Sequence, residues 1–266
     1  MRQFTSFDGV AISYYQWGGD TALPPVVLHH GFVADANLNW AAPGVVAALV
    51  TAGRRVIALD ARGHGASAKP HDSASYGEAV MSRDLALLLD LIGAPRVHLA
   101  GYSMGAVVSL LTAATDHRIS RLVAGGVGAG VVELGGADTR AVRREAIAAA
   151  LLADDASAIT DPGAARFRRF ADMVGADRQA LAACAAMALA ASIPLAGIRA
   201  RTLIIAGDDD ILAARPQVLA DAISDARSLI IAGDHLSAVT NTRFAQAIVD
   251  FFAEPEAPDP AETAHR

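Results

Sequence analysis

The sequence predicts an α/β fold, with a mostly parallel eight-stranded sheet, helices on both faces and an inserted helical cap. Two observations carry the core. Short β-rich apolar runs alternate with longer helical runs over residues 1–130, and the alternation resumes over 198–253. Such alternation implies parallel strands joined by crossover helices, with both sheet faces covered. A third observation places the insertion. Residues 131–197 hold Ala-, Leu- and Arg-rich helical segments and no convincing strand, which reads as a cap over the core.

The elements follow in order. Residues 2–7 and 11–16 form an antiparallel hairpin around the turn signal Phe7-Asp8-Gly9. Val26-Val27-Leu28-His29 is a buried strand, and 40–52 is a helix stopped by Gly53. Residues 55–59 form the next strand. Val80, Leu85, Leu88, Leu89 and Ile92 recur at helical spacing across 77–92. A strand at 97–100, a helix to about 115 and a strand at 119–125 complete the first part. The insertion is broken at Gly135-Gly136, Asp161-Pro162-Gly163, Gly175 and Pro194. Then come a strand at 202–206, a helix at 216–223, a strand at 227–231 and a helix at 237–253. The Pro-rich, acidic stretch 254–266 is expected to be a disordered tail.

Composition narrows the function classes. Hydrophobic residues make up 53% of the 266, enough for one large core. A net charge of −6 argues against nucleic acid or an anionic membrane as partner. Residues 1–5 lack the apolar stretch of a signal peptide, and no apolar segment is long enough for a confident membrane span. Cys184 is the only cysteine, so no intrachain disulfide forms, and its alanine-rich setting marks a small core residue. These features together are those of a soluble cytoplasmic protein.

The chemistry centres on Gly101-Tyr102-Ser103-Met104-Gly105, set between a strand and a helix. A sharp turn there strains the middle residue and pushes its side chain outward, while glycine on either side permits close backbone approach. Ser103 Oγ would then stand above a helix N-terminus, where developing negative charge is favoured. A serine hydroxyl needs a base, and that base needs an orienting group. Of eight histidines, His235 stands out, because Gly233-Asp234-His235-Leu236 follows a strand at the sheet edge shared with Ser103. Gly207-Asp208-Asp209-Asp210 follows the strand before it. Any of the three carboxylates could orient the imidazole. The far end of the loop favours Asp210, with Asp208 second. Three adjacent carboxylates diverge, so a metal is not expected, and no cofactor is called for. The backbone N–H of Met104 and that of Phe32, after Gly31, are candidate donors to an oxyanion. His30 is expected to brace that loop, and His29 to be a core histidine. Asp60, Arg62 and His64 in the 60–67 cluster read as residues that hold loops together.

These motifs together resemble the α/β-hydrolase superfamily over roughly residues 3–253. The markers are His30-Gly31-Phe32, the Asp60–Ser67 cluster, the 101–105 turn, Gly207–Asp210 and Asp234-His235. Within it the sequence looks most like serine esterases, enol-lactonases and non-haem haloperoxidase-like perhydrolases. The resemblance implies Ser103 as nucleophile, Asp210 as the acid at the fourth place of its motif, and His235 as base. Asp234 stands where relatives usually carry glycine, and a carboxylate there could raise the histidine pKa. The expected reaction is hydrolysis of a small or medium, largely apolar ester or lactone through an acyl-enzyme. Carbon–carbon bond hydrolysis and perhydrolysis use the same three groups. A non-catalytic ligand-binding homologue and a cofactor-free dioxygenase-like enzyme are the readings from other classes. Phe32, Met104, Phe167 and Phe170 are candidate substrate contacts, with Met173 and Met187 as further pocket liners. The arginines 140, 143, 144, 166, 168 and 169 read as a solvated helix face, with carboxylate binding as the alternative for one of them.

Overall fold

A computed structural model describes residues 1–187 and 192–255. The eight strands are β1 (Arg2–Thr5), β2 (Ala11–Trp17), β3 (Val26–His29), β4 (Val56–Leu59), β5 (Val97–Tyr102), β6 (Ile119–Gly125), β7 (Arg201–Gly207) and β8 (Ala226–Ile231). They form one sheet in the order β1-β2-β4-β3-β5-β6-β7-β8. β1 and β2 pair antiparallel, as do β2 and β4, and the remaining pairs are parallel. The helices are α1 (Val45–Thr51), α2 (Glu78–Ile92), α3 (Met104–Ala113), α4 (Ala129–Leu134), α5 (Arg144–Leu152), α6 (Pro162–Val174), α7 (Arg178–Ala186), α8 (Pro216–Asp221) and α9 (Thr242–Ala253).

Strand alternation feeds two cores. Val27, Ile57, Leu59, Leu99 and Ile204 point to one face, where α2, α3 and α8 pack. Val26, Leu28, Val56, Ala58, Leu203 and Ile205 point to the other, against α1 and α9. Burial on both faces explains why β3 and β4 read as unbroken apolar runs. In α9 the spacing of Phe244, Ile248, Phe251 and Phe252 puts one apolar stripe on the sheet. Among the described residues of 131–197 there is no strand. Its helices α5, α6 and α7 share a separate apolar cluster that includes Ile147, Leu151, Ala171 and Leu181. Asp161 caps α6 by accepting from Ala164 N at 2.9 Å, with Pro162 in its first turn and left-handed Gly175 at its end.

Several boundaries differ from the sequence reading, three of them near the site. The helix expected over 40–52 is a π-helical turn at Asn37–Ala41 followed by α1, because Pro43 lacks a donor and Gly44 takes φ 88°. The last helix begins at Thr242, capped by Asn241, after a separate 3₁₀ turn at Ala238–Thr240. β5 extends to Tyr102 because it lies between β3 and β6, with Gly101 opposite His29 and Tyr102 opposite Gly125. The tail expected over 254–266 lies, from residue 256 on, outside the described residues. No described helix is long and apolar enough to cross a membrane.

The strand order reverses at β3. The chain goes from β3 to β4 on one side, then crosses to β5 on the other. Loops leaving the carboxyl ends of β3 and β5 therefore diverge and open a crevice. The segment after β3 begins His30-Gly31-Phe32, and Ser103 follows β5.

Candidate active site

Ser103 links β5 to α3 with φ 52° and ψ −116°, a conformation that costs a non-glycine residue energy and is held by its surroundings. Its N–H donates to Gly125 O at 2.8 Å. Both flanking glycines are forced by contact. A Cβ on Gly101 would sit 2.2 Å from Gly105 O, and one on Gly105 would sit 2.2 Å from His29 O. Gly105→Ala is therefore expected to lower unfolding free energy by about 3 kcal/mol, the upper end of the usual overpacking cost, since backbone rather than a side chain must yield. Gly19→Ala is the control, because nothing lies within 4 Å of its Cβ position. Urea denaturation of both variants checks this, and equal stability of the two would refute it.

Ser103 Oγ lies 2.9 Å from His235 Nε2. His235 Nδ1 lies 2.8 and 3.0 Å from the two carboxylate oxygens of Asp210. Asp210 has no exposed side-chain surface and His235 only 14%. A carboxylate beside Nδ1 keeps the proton there, which leaves the Nε2 lone pair facing the serine. Asp210 Oδ1 also accepts from Leu212 N and Ala213 N, at 3.0 and 3.2 Å. Its two neighbours do other work. Asp208 accepts from Gly233 N at 2.9 Å, and Asp209 is exposed. Asp234 is bound by Arg166 at 2.7 Å and by the Ser237 hydroxyl and amide. The backbone and side-chain bonds from Ser237 hold its carboxyl well below the usual range. Its charge is thus engaged by partners other than the imidazole.

Gly31 brings the β3 loop against the serine, since a Cβ there would meet Ser103 Cβ and Tyr102 O at 3.3 Å. Asn39 Oδ1 accepts from Gly31 N at 2.9 Å, and His30 Nε2 accepts from Ala61 N at 2.9 Å. His30 Nδ1 donates to Gly31 O, so the ring ties the β3 loop to the β4 loop. The 60–67 cluster is also structural. Asp60 accepts from Ala36 N and Ala66 N, and Arg62 pairs with Asp84 and Asp8 at 2.7 Å.

Burial pushes four histidines down, His29 to about 4 and His30, His64 and His98 to about 3. A histidine held neutral in the fold but free to protonate when unfolded makes stability rise with pH. That contribution is complete above pH 6.5 and is lost as pH falls towards the folded values. Near pH 5 unfolding is expected to take up on the order of four protons. Urea midpoints between pH 7 and pH 4.5 check this, and a flat profile would contradict it.

Tyr102 carries no role in the sequence reading, yet it sets the histidine. Its hydroxyl donates to His235 O at 2.7 Å, and its ring lies 5.4 Å from the imidazole. Burial pushes its phenol well above the ordinary value, which keeps the donor protonated. Glycine follows β6 at residue 126 because a Cβ would meet Tyr102 Cζ at 2.9 Å and His235 Cε1 at 3.1 Å.

A narrow cavity with a volume of about 90 Å³ opens onto Ser103. Phe32, Met104, Val107, Ile147, Phe167 and Met187 line it, and the Phe32 and Phe167 rings are 5.8 Å apart. Phe170 does not line it. It lies one turn from Phe167 and packs into the α5–α7 cluster. Met173 is 76% exposed and is not part of that wall. Cys184 reaches the cavity wall, with burial pushing its thiol up to about 12. The arginines are not one solvated face. Arg168 is buried on Ala150 O and Asp172, and Arg144 reaches the cavity beside Glu78. Arg140 pairs with Asp138 and Glu133. A second cleft beside His235 shares Val142, Phe167 and Leu212 with the first. No group of three or more His, Cys, Asp or Glu among the described residues is placed to hold a metal.

The profile of the family described as alpha/beta hydrolase fold matches residues 24–131. With the sheet order and the turn at Ser103, this match shows that the chain has the α/β-hydrolase fold. A hydrolase from Pseudomonas aeruginosa superposes with TM-score 0.74 at 28% identity, covering 95% of this chain and 98% of that one. The enol-lactonase from Burkholderia xenovorans superposes with TM-score 0.72 at 27% identity, covering 95% and 100%. By sequence, the dihydrolipoyllysine-residue acetyltransferase component of the acetoin cleaving system of Pseudomonas putida is 42% identical over 102 residues, 38% of this chain and 26% of that one. The chain spans about a quarter to a third of the length of the curated relatives it matches first.

Proposed function

We propose that the protein is a serine hydrolase that cleaves a carboxylic ester or lactone through an acyl-enzyme. The observation that carries this is the unbroken relay from Ser103 Oγ to His235 to Asp210, with 2.9 and 2.8 Å between its members. Ser103 attacks the carbonyl and passes its proton to His235 Nε2. Asp210 holds the imidazole and stabilises its charged form. The Phe32 and Met104 amides bind the tetrahedral oxyanion, one from the loop abutting the serine and one from the first residue of α3. His235 then protonates the leaving oxygen and activates the water that frees the acyl group. The likeness to an enol-lactonase over nearly the whole chain supports a carbonyl substrate.

The helical segment 131–197 acts as a cap. It supplies Val142, Ile147, Phe167 and Met187 to the cavity, which suits an apolar acyl or alicyclic group. His235 faces the second cleft, so the leaving group departs on that side. The test is reaction with a fluorophosphonate followed by peptide mass mapping. Rapid addition at Ser103, together with turnover of p-nitrophenyl acetate, is the expected result. An unmodified Ser103 and no turnover would overturn the reading and favour a ligand-binding homologue.

A further inference from the structure

Where α2, α5 and α7 meet, the apolar cavity wall holds one ion pair. Glu78, the first residue of α2, is 5% exposed, and its Oε1 accepts from Arg144 Nη2. Arg144 Nη1 donates to Met187 O. Glu78 Oε2 is buried and accepts nothing among the described residues. A glutamate in a first helical turn is favoured by the helix dipole. That accounts for its charge but not for a buried oxygen left without a donor among the described residues, on a side chain that lines the cavity, which is costly.

We propose that Glu78 Oε2 is a specificity contact that accepts a hydrogen bond from a neutral donor, a hydroxyl or amide N–H, on the acyl part of the substrate. The proposal rests on the hydrolase reading and adds the substrate class. The charges disfavour the alternatives. A carboxylate would face the Glu78 anion, whose charge Arg144 already pairs. An ammonium would meet a guanidinium that already balances Glu78. A neutral donor satisfies the orphan oxygen without adding charge.

The test uses the Ser103→Ala protein, which binds without turnover. Its Kd is measured by calorimetry for ω-hydroxy methyl esters of pentanoic to octanoic acid, with the unsubstituted, ω-methoxy and ω-ammonio esters beside them. At the best chain length the hydroxy ester is expected to bind about tenfold tighter than the unsubstituted one. In the double variant Ser103→Ala, Glu78→Gln the advantage of the hydroxy ester over the ω-methoxy ester should disappear. The side-chain oxygen stays with Arg144 there, and the amide NH₂ takes the orphan position. Equal Kd values for hydroxy and unsubstituted esters across the Ser103→Ala series would overturn the proposal, as would a preference for the ammonio ester. Failure of the hydrolase reading looks different, because the wild-type protein would then leave every ester uncleaved while the binding preference persisted.

Discussion

Ser103→Ala is expected to lower kcat on p-nitrophenyl acetate by about 10⁶-fold and to abolish any acyl-enzyme burst. The reason is local. One hydroxyl is lost, and with it the atom 2.9 Å from His235 Nε2. His235, Asp210 and the two amides would remain in place, so residual turnover above the uncatalysed rate reports what they contribute without a nucleophile. The backbone at residue 103 keeps its positive φ whether serine or alanine occupies it, so the fold is expected to survive. Steady-state kinetics and circular dichroism on the same preparation check both points. Wild-type turnover in this variant would remove Ser103 from the mechanism.

Asp210→Asn should cost about 10⁴-fold in kcat with little change in KM. The wild-type carboxylate accepts from His235 Nδ1 and from the Leu212 and Ala213 amides. An asparagine can keep its oxygen on the two backbone amides. Its NH₂ then faces Nδ1 and drives the ring proton to Nε2, where it blocks proton transfer from the serine. The loss is thus one of tautomer rather than of shape. A kcat within tenfold of wild type would show that another group orients the histidine.

The sheet was legible because strands buried on both faces leave unbroken apolar runs, as in Val26–Leu28 and Val56–Leu59. The three polar side chains were legible because each follows a strand at one sheet edge, and parallel pairing aligns those edges. Helix ends at Gly44 and Asn241 were less so, since apolar periodicity continues across both breaks. The cavity wall was the least readable part. Phe167 and Phe170 have the same chemistry and sit one turn apart, and only the tilt of α6 decides which one reaches the cavity. Arg144 shares a cationic stretch with exposed Arg143, so its burial depends on Glu78, which is 66 positions away. Tyr102 lies inside the motif, but its partner is a main-chain oxygen, which residue patterns do not reveal.

That tyrosine ties together two parts of the chain that are remote in sequence. It is bonded covalently to Ser103 and grips the peptide carbonyl of His235. A shift of Ser103 would therefore carry His235 along with it, so the 2.9 Å between them is tied to the sheet edge and does not depend on the helices over the cavity.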